Sequence, residues 1–528
     1  MRIINNDRLE PLFDTTATRA IERAVQATLP HHALMARAGL AVARLAQALA
    51  PHARCIWVAC GPGNNGGDGL VAATHLHAWA RQSGSALQVV VTHAADPARL
   101  PPDARQALVA AQAAGVAFQS APPDEADLAI DALLGIGAIR PLRGTLATWL
   151  ARLRTSAAPV LCVDLPSGLH ADTGMLTAME HDGNDTAIAT RHGPRHTLSL
   201  LTLKPGLFTG GGRDAAGQVW FDDLGATPPV DVPLAARLSG LVVHADAKVF
   251  MPHTSHKGSF GDVVIVGGQG LATNGAGMTG AAVLAARAAL HAGAGRVFVG
   301  LLEAGSQSET TWDPVCPELM FRRPDAWLDT ALLRRASVVC GCGGGASVAA
   351  MLPRLLSSAT RLVLDADALN AIARDANLQA QLTHRQGRGW ITVLTPHPLE
   401  AARLLGTDTT QVLFDRLQAA QTIAAQFGAM CVLKGSGTVI AAPNETTRIN
   451  PTGNAALATA GTGDVLAGMI GSALARPVSS PEEALARVAS AVFQHGWLAD
   501  HWNDGEGSTP QRPSLVAGEL ALRARPVG

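Results

Sequence analysis

Short apolar runs rich in valine, isoleucine and cysteine alternate along the chain with longer alanine-rich stretches of helical period. Cys55–Cys60, Leu87–Val91, Leu128–Asp131 and Val160–Asp164 read as strands, and Leu70–Ala80 and Asp103–Ala114 as the helices between them. Two helical segments, Thr16–Leu29 and His32–Leu49, come first. Strands that are apolar almost throughout are buried on both faces, so the pattern predicts a parallel sheet covered by helices on each side. A proline-rich stretch without periodicity, Ala226–Pro233, interrupts it. The alternation then restarts: Val263–Val266, Val297–Leu301, Val338–Cys340, Leu362–Asp365, Ile391–Leu394 and Met430–Leu433 as strands, with Thr279–Ala292, Leu399–Leu405, Leu413–Phe427 and Val465–Ala473 as helices. The expectation is two α/β domains, residues 1–225 and 245–528, joined by a linker at 226–244.

The length of 528 residues agrees with more than one domain, since a domain usually takes roughly 100–200. A net charge of -1 gives no support for binding nucleic acid or an anionic membrane. With no tyrosine in the chain, no phenol can act as a catalytic acid. The seven cysteines are scattered through apolar runs without C-x-x-C spacing, which reads as buried reduced thiols in a cytosolic, cytoplasmic protein. The polar Met1–Glu10 segment lacks a secretory apolar core. The least polar stretches, Met278–Gly295 and Ala455–Ala475, are broken by Arg287, His291 or Asp464 and read as packed helices, not membrane spans.

In the first half, Gly61-Pro-Gly-Asn-Asn-Gly-Gly-Asp-Gly69 lies between a strand and a helix and formally contains G-x-G-x-x-G. A dinucleotide fingerprint also expects an acid about 20 residues on, where this chain reads Val91-Thr-His93. The Asn64–Asp68 loop offers the oxygen chemistry of a hard-cation site; the competing reading is a glycine-rich turn with an aspartate cap. Asp131 and Asp164 each end a strand before a glycine-containing turn. Ligands of open parallel sheets bind at the carboxyl ends of strands, so these three polar strand ends should converge on one rim.

In the second half, Asn454-Ala-Ala-Leu-Ala-Thr-Ala-Gly-Thr-Gly-Asp-Val-Leu-Ala-Gly468 places Asp464 where a small-residue loop turns into an apolar helix. Either Asp464 is a base held beside a phosphate at a helix N-terminus, or it caps a core helix. Four motifs precede it: His256-Lys-Gly-Ser-Phe-Gly261 before the first strand, Asp365-Ala-Asp-Ala-Leu-Asn370 ending a middle strand, Thr395-Pro-His-Pro-Leu-Glu400 opening a helix, and Leu433-Lys-Gly-Ser-Gly-Thr438 ending a later strand. No Gly-x-x-x-x-Gly-Lys-Ser/Thr P-loop is present. Lys434 with the Gly435–Thr438 backbone can hold phosphate or adenosine, as phosphoryl transfer requires. Asp365 and Asp367 are either magnesium organisers or solvated strand ends. His397, rigid between two prolines, reads as a ligand contact, while Lys257 fits an ordinary surface lysine equally well.

The first half resembles the NAD(P)H-hydrate epimerases at Gly-Asn-Asn-Gly-Gly-Asp-Gly, Asp-Ala-Leu-Leu-Gly-x-Gly, Val-Asp-Leu-Pro-Ser-Gly-Leu and Leu203-Lys-Pro-Gly-Leu207. The second half resembles the ADP-dependent NAD(P)H-hydrate dehydratases, of the ribokinase-like fold, at Thr-Pro-His-Pro, Leu-Lys-Gly and the Gly461-Thr-Gly-Asp464 loop. The resemblance implies a Rossmann-like α/β/α domain that exchanges the R and S forms of reduced nicotinamide dinucleotide hydrated at C6. It implies a second domain that dehydrates the S form at the expense of ADP. Carried over by position, Asn64, Asn65, Gly66, Gly67, Asp68, Gly135, Ile136, Gly137, Ala138, Ile139, Arg140, Pro141 and Asp164 would line the dinucleotide. Asn65, Asp131 and Ser167 would hold potassium. Ala281, Gly343, His397 and Asp464 would contact the hydrate in the second domain, and Lys434, Gly435, Ser436, Gly437, Thr438 and Gly463 the nucleotide. Asp164 and Asp464 are the expected catalytic groups, magnesium an expected companion of ADP, and a homo-oligomer the expected assembly. Three departures stand out: a long polar segment at Met179–Arg195, Phe13 where tyrosine is expected, and Gly341-Cys-Gly-Gly-Gly345 in place of Gly-Pro-Gly. The rival reading is a small-alcohol kinase of ribokinase-like fold fused to a non-catalytic Rossmann-like binding domain.

Overall fold

In the computed structural model the described residues are 1–137, 142–177, 193–229, 231–240, 253–271, 275–302, 312–502 and 514–527. The chain divides into two compact units, Met1–Asn5 with Pro11–Ala236 and Asn6–Glu10 with Arg237–Gly528.

The first unit is built on strands β1 (Arg2–Ile3), β2 (Cys55–Cys60), β3 (Gln88–His93), β4 (Ala117–Gln119), β5 (Leu128–Ala132), β6 (Val160–Val163), β7 (Arg195–Leu200) and β8 (Gln218–Asp222). They lie in the order β1-β8-β7-β6-β5-β2-β3-β4, parallel except for β1 against β8. The principal helices are α1 (Thr15–Gln26), α2 (Ala33–Leu49), α3 (Asn64–Ser83), α4 (Pro102–Ala113) and α5 (Gly144–Arg154). The two-residue period of β2 splits it between two cores. Ile56, Val58 and Cys60 pack with residues of α1 to α4, while Trp57 and Ala59 pack with Trp149, Leu150 and Leu153 of α5. That division is the three-layer, Rossmann-like arrangement.

The second unit holds β9 (Ala236–Leu238), β10 (Asp262–Gln269), β11 (Arg296–Leu302), β12 (Met320–Phe321), β13 (Ser337–Cys340), β14 (Arg361–Leu364), β15 (Ile391–Leu394), β16 (Met430–Leu433), β17 (Val439–Ala441) and β18 (Arg448–Ile449). Their order is β12-β11-β10-β13-β14-β15-β16-β17-β18-β9, antiparallel only where β17 meets its two neighbours. The helices used below are α6 (Thr279–His291), α7 (Asp367–Arg374), α8 (Pro398–Leu405), α9 (Arg416–Phe427), α10 (Thr462–Ala473) and α11 (Pro481–Asp500). Alanines of α6 and the apolar face of α10 bury Val263 and Ile265 of β10 in one core. Among the described residues no helix is long and apolar enough to cross a membrane.

Two elements differ from the pattern-based expectation. Asn64–Asp68 is not a loop: α3 begins at Asn64, with Gly63 as its extended N-cap. Glycines inside a helix cost about 1 kcal/mol each, which argues from sequence for a later start. Here tertiary packing requires them, because a Cβ on Gly66 would lie 2.1 Å from the Gly61 carbonyl oxygen and one on Gly69 2.6 Å from the Ala132 Cβ. The second difference is at Leu413–Phe427, which is two helices, Thr409–Phe414 and α9. Asp415 breaks the run because its carboxylate accepts the Gln418 N–H at 2.9 Å and caps α9 instead of continuing a helix.

Candidate active sites

In the first unit β2 is flanked by β3 on one side and β5 on the other, so the connections leave in opposite directions and a crevice opens at the strand ends. A cavity of about 490 Å³ lies there. Asn64, Asn65 and Asp68 of α3 face it, as do Gly135, Ile136 and Gly137 after β5, Asp164 after β6, Lys204 after β7, and Arg19 and Glu22 of α1. The start of α3 thus delivers a row of amide and acid side chains to the rim, and the missing Cβ of Gly66 permits it. Gly66 and Gly67 do not face the cavity, and Gly67 sits against Met35. Ala138, Ile139, Arg140 and Pro141 lie outside the described residues, as does most of Met179–Arg195.

Asp164 has φ +65°, a left-handed conformation that aspartate tolerates better than most residues. Its carboxylate accepts the Leu200 N–H at 3.0 Å and an ion-paired hydrogen bond from Lys204 Nζ. Lys204 has no exposed side-chain surface and donates also to the Leu200 carbonyl at 2.9 Å. The carboxylate therefore faces the cavity while its counter-ion is buried beside it. Neighbouring acids are crowded: burial, with Asp164 next in weight, holds both Asp68 and Glu22 above the ordinary carboxylate range.

Just below the rim Asp131, 2% exposed, accepts the Ser167 hydroxyl at 2.6 Å, the Ser167 N–H at 2.9 Å and the Leu133 N–H at 3.2 Å. Burial pushes its carboxyl up. The Asn65 Nδ2 is buried without an acceptor. Turning that amide end for end puts oxygen in its place, and an oxygen facing a cation needs no hydrogen-bond partner. Carboxylate, hydroxyl and amide oxygen form a donor set that fits a hard monovalent cation.

In the second unit the carboxyl edges of β13, β14, β15 and β16 bring together Cys342 and Gly343, Asp365, His397, and Lys434–Thr438. Asp464 enters from the first turn of α10, whose N-cap Gly461 takes φ +91°. Asp365, 2% exposed, accepts Lys434 Nζ at 2.7 Å and Thr395 Oγ1 at 2.8 Å. Burial disfavours the Lys434 ammonium, but Asp365 and Glu400 outweigh it and raise its pKa. Burial and then Asp365 push Asp464 up to about 6, against the opposing pull of Cys342 and Lys434. A side chain on Gly463 would lie 3.4 Å from Lys434 Nζ, which puts the Gly-Thr-Gly turn beside the ammonium. Likewise a Cβ on Gly343 would lie 2.9 Å from the Ala281 Cβ, so these two walls adjoin.

His397 caps α8: its Nδ1 accepts the Leu399 and Glu400 N–H groups at 3.2 Å, and Glu400 accepts the His397 N–H at 2.9 Å. With Nδ1 committed as acceptor, the proton is on Nε2, 3.2 Å from Glu400 Oε1. Asp367 accepts the Gly345 N–H at 2.8 Å.

Three supporting residues escaped sequence reasoning. Lys204 lay in a quoted motif but its partner is far off in sequence. Arg416, 2% exposed, donates to the carbonyls of Leu433 at 3.2 Å, Lys434 at 3.3 Å and Ser436, and so shapes the Lys434–Thr438 turn. Buried His495 of α11 donates Nε2–H to the Thr462 carbonyl at 2.9 Å beneath Asp464; burial lowers its pKa to about 4, so it stays neutral. None of the three carried a signal in the sequence, since arginine is ordinarily exposed and the burial of Arg416 follows only from the fold.

Residues 31–206 match the family model for the YjeF-related protein N-terminus, and residues 263–517 match that for NAD(P)H-hydrate dehydratase. The bifunctional NAD(P)H-hydrate repair enzyme of Escherichia coli (strain K12) is 35% identical over 479 residues, covering 88% of this chain and 84% of that protein. An ADP-dependent (S)-NAD(P)H-hydrate dehydratase of Neisseria meningitidis serogroup B is 42% identical over 276 residues, 51% of this chain and 86% of its own. Among solved structures, a ribokinase-like superfamily protein of Enterococcus faecalis V583 is 25% identical, covers 52% of this chain and 88% of its own, and has a TM-score of 0.41. With the two family models matched in succession, and relatives matched across both at 33–35% identity, the chain belongs to the family of bifunctional NAD(P)H-hydrate repair enzymes.

Proposed function

We propose that the first unit epimerises hydrated NADH and NADPH and that the second dehydrates the S form with ADP, releasing AMP and phosphate. The observation that carries this reading is that each sheet's carboxyl rim sets a partly exposed carboxylate beside a lysine–aspartate ion pair or within one: Asp164 paired with Lys204, and Asp464 beside the Lys434–Asp365 pair.

Inverting C6 requires one of its bonds to break and re-form. C6 bears both the hydroxyl and the ring nitrogen. Removing the hydroxyl proton and protonating the nitrogen opens the ring to an aldehyde, and closure on the other face inverts the centre. Asp164 takes and returns the hydroxyl proton, and Lys204 stabilises the charge on Asp164. Asn65, Asp131 and Ser167 would hold potassium, whose charge would favour the dinucleotide phosphates.

In the second unit Asp464 removes the C6 hydroxyl proton as that oxygen attacks the terminal phosphorus of ADP, with AMP leaving. Phosphate is a better leaving group than hydroxide, so the ring nitrogen expels it from C6, and loss of a C5 proton to solvent restores the C5=C6 double bond. Lys434, the Gly435–Thr438 turn, Gly463 and the N-terminus of α10 would hold the nucleotide phosphates. Ala281, Gly343 and the exposed edge of His397 would contact the hydrate. Asp365 and Asp367 would hold magnesium, which supplies neutralising charge there. Buried thiols suit a cytoplasmic protein, and self-association is part of the same proposal.

The small-alcohol kinase alternative leaves the first unit's cavity and its Lys204–Asp164 pair without a use. The deciding experiment supplies a mixed R/S hydrate with ADP and follows reduced-nicotinamide absorbance. Complete conversion is expected; a halt at the S fraction means the first unit is inert, and no conversion overturns the dehydratase reading.

A further inference from the structure

The departure at Gly341-Cys-Gly-Gly-Gly345 puts a thiol into the second site. Cys342 is fully buried, and its Sγ lies 4.0 Å from Asp365 Oδ2. One ligand atom each from Cys342, Asp365 and Asp464 fall within 4.8 Å of one another, and they come from three segments: the turn after β13, the end of β14 and the start of α10. The backbone holds the thiol in place, since the Cys342 carbonyl accepts the Gly268 N–H at 2.9 Å. On Asp365 the Oδ1 oxygen is taken by Lys434 and Thr395, which leaves Oδ2 toward the sulfur. Asp464 is partly exposed and provides the way in.

A thiolate with two carboxylates is a poor set for magnesium or potassium and a good one for a borderline or soft divalent ion. Zinc ligands at about 2.3 Å (sulfur) and 2.0–2.2 Å (oxygen) stand about 3.5 Å apart in a tetrahedron, so a modest closing of the present gap completes the geometry. Binding displaces the thiol proton to solvent: M²⁺ and Cys–SH give the metal thiolate and H⁺. The two carboxylates and the thiolate then balance the divalent ion and the adjacent Lys434 ammonium.

We propose that Cys342, Asp365 and Asp464 form a binding site for a thiophilic divalent cation, zinc foremost, with water as the fourth ligand. Resting on the dehydratase reading above, occupancy ties up Asp464 as a metal ligand and switches off the second activity while leaving the first unit running.

Cadmium serves as the spectroscopic probe, because its thiolate bond absorbs in the ultraviolet, and it needs no substrate. Full-length protein is titrated with cadmium and then with zinc. One equivalent is expected to produce the thiolate band and zinc to abolish it. Cys342→Ala should weaken binding at least tenfold with unchanged circular dichroism, and Cys342→Ser should lie between. An absent band in the wild type, or equal affinity in Cys342→Ala, overturns the site. In a second arm zinc should inhibit hydrate dehydration by the wild type and spare Cys342→Ala, with epimerisation unaffected by zinc in both. A Cys342-dependent band without inhibition refutes the link to Asp464 chemistry, whereas a wild type that dehydrates no hydrate refutes the functional reading and leaves the metal site standing.

Discussion

Lys204 stands at the wall of the first cavity with no exposed side-chain surface, and its ammonium is paired with Asp164, the partly exposed carboxylate beside it. The ion pair and the Leu200 N–H fix the orientation of the partly exposed carboxylate. Removing one partner of such a pair leaves the other charge uncompensated.

Lys204→Met should abolish epimerisation and destabilise the first unit by about 3 kcal/mol, because Asp164 would then lose its counter-ion and keep only the Leu200 N–H. Asp164→Asn should also abolish epimerisation and cost at least as much stability, because it leaves the Lys204 ammonium, which has no exposed surface, without its counter-charge. Thermal unfolding paired with an epimerase assay checks both; equal activity in Lys204→Met and wild type would remove Lys204 from the mechanism.

Dehydration should fall about tenfold per pH unit below pH 6, because Asp464, pushed up to about 6, acts only when ionised. The same shift has a stability consequence. The folded pKa lies above the unfolded 3.8, so the fold favours the protonated acid, a contribution present below pH 3.8 and lost as pH rises through about 6. Asp464→Asn should therefore be inactive yet more stable at pH 8 by about 1–3 kcal/mol, measured by denaturant unfolding.

Arg416→Met should raise the KM for ADP about tenfold with a smaller effect on kcat, since Arg416 positions the Lys434–Thr438 carbonyl turn without reaching the rim itself. Equal effects on KM and kcat would place it nearer the chemistry.

Epimerisation should depend on potassium, and Ser167→Ala, which removes one oxygen donor, should raise the potassium concentration needed for half-maximal rate. Rates unchanged on replacing potassium with a bulky organic cation would eliminate that use of Asn65, Asp131 and Ser167.

The parallel strands were legible because each is a compact apolar run: Cys55–Cys60, Ile391–Leu394 and Met430–Leu433 begin and end where the residue pattern does. β7 and β8 were not, since Arg195 and His196 at the start of one and Asp222 at the end of the other blur the run. Strand-end aspartates pointed to both rims, because open parallel sheets gather the carboxyl ends of their strands on one edge. Phe13, the departure from an expected tyrosine, is simply buried in the first core.

By itself, the order of residues determined the two α/β layers, the carboxylates at their strand ends and the family to which the chain belongs, because local period and motif spacing are carried along one dimension. Tertiary structure alone decided that α3 starts at Asn64, that Lys204 pairs with Asp164, that His495 braces α10, and that Cys342 meets Asp365 and Asp464. Each of those depends on how closely backbones distant in sequence approach and on which charges burial forces into contact, and neither is encoded in any single segment.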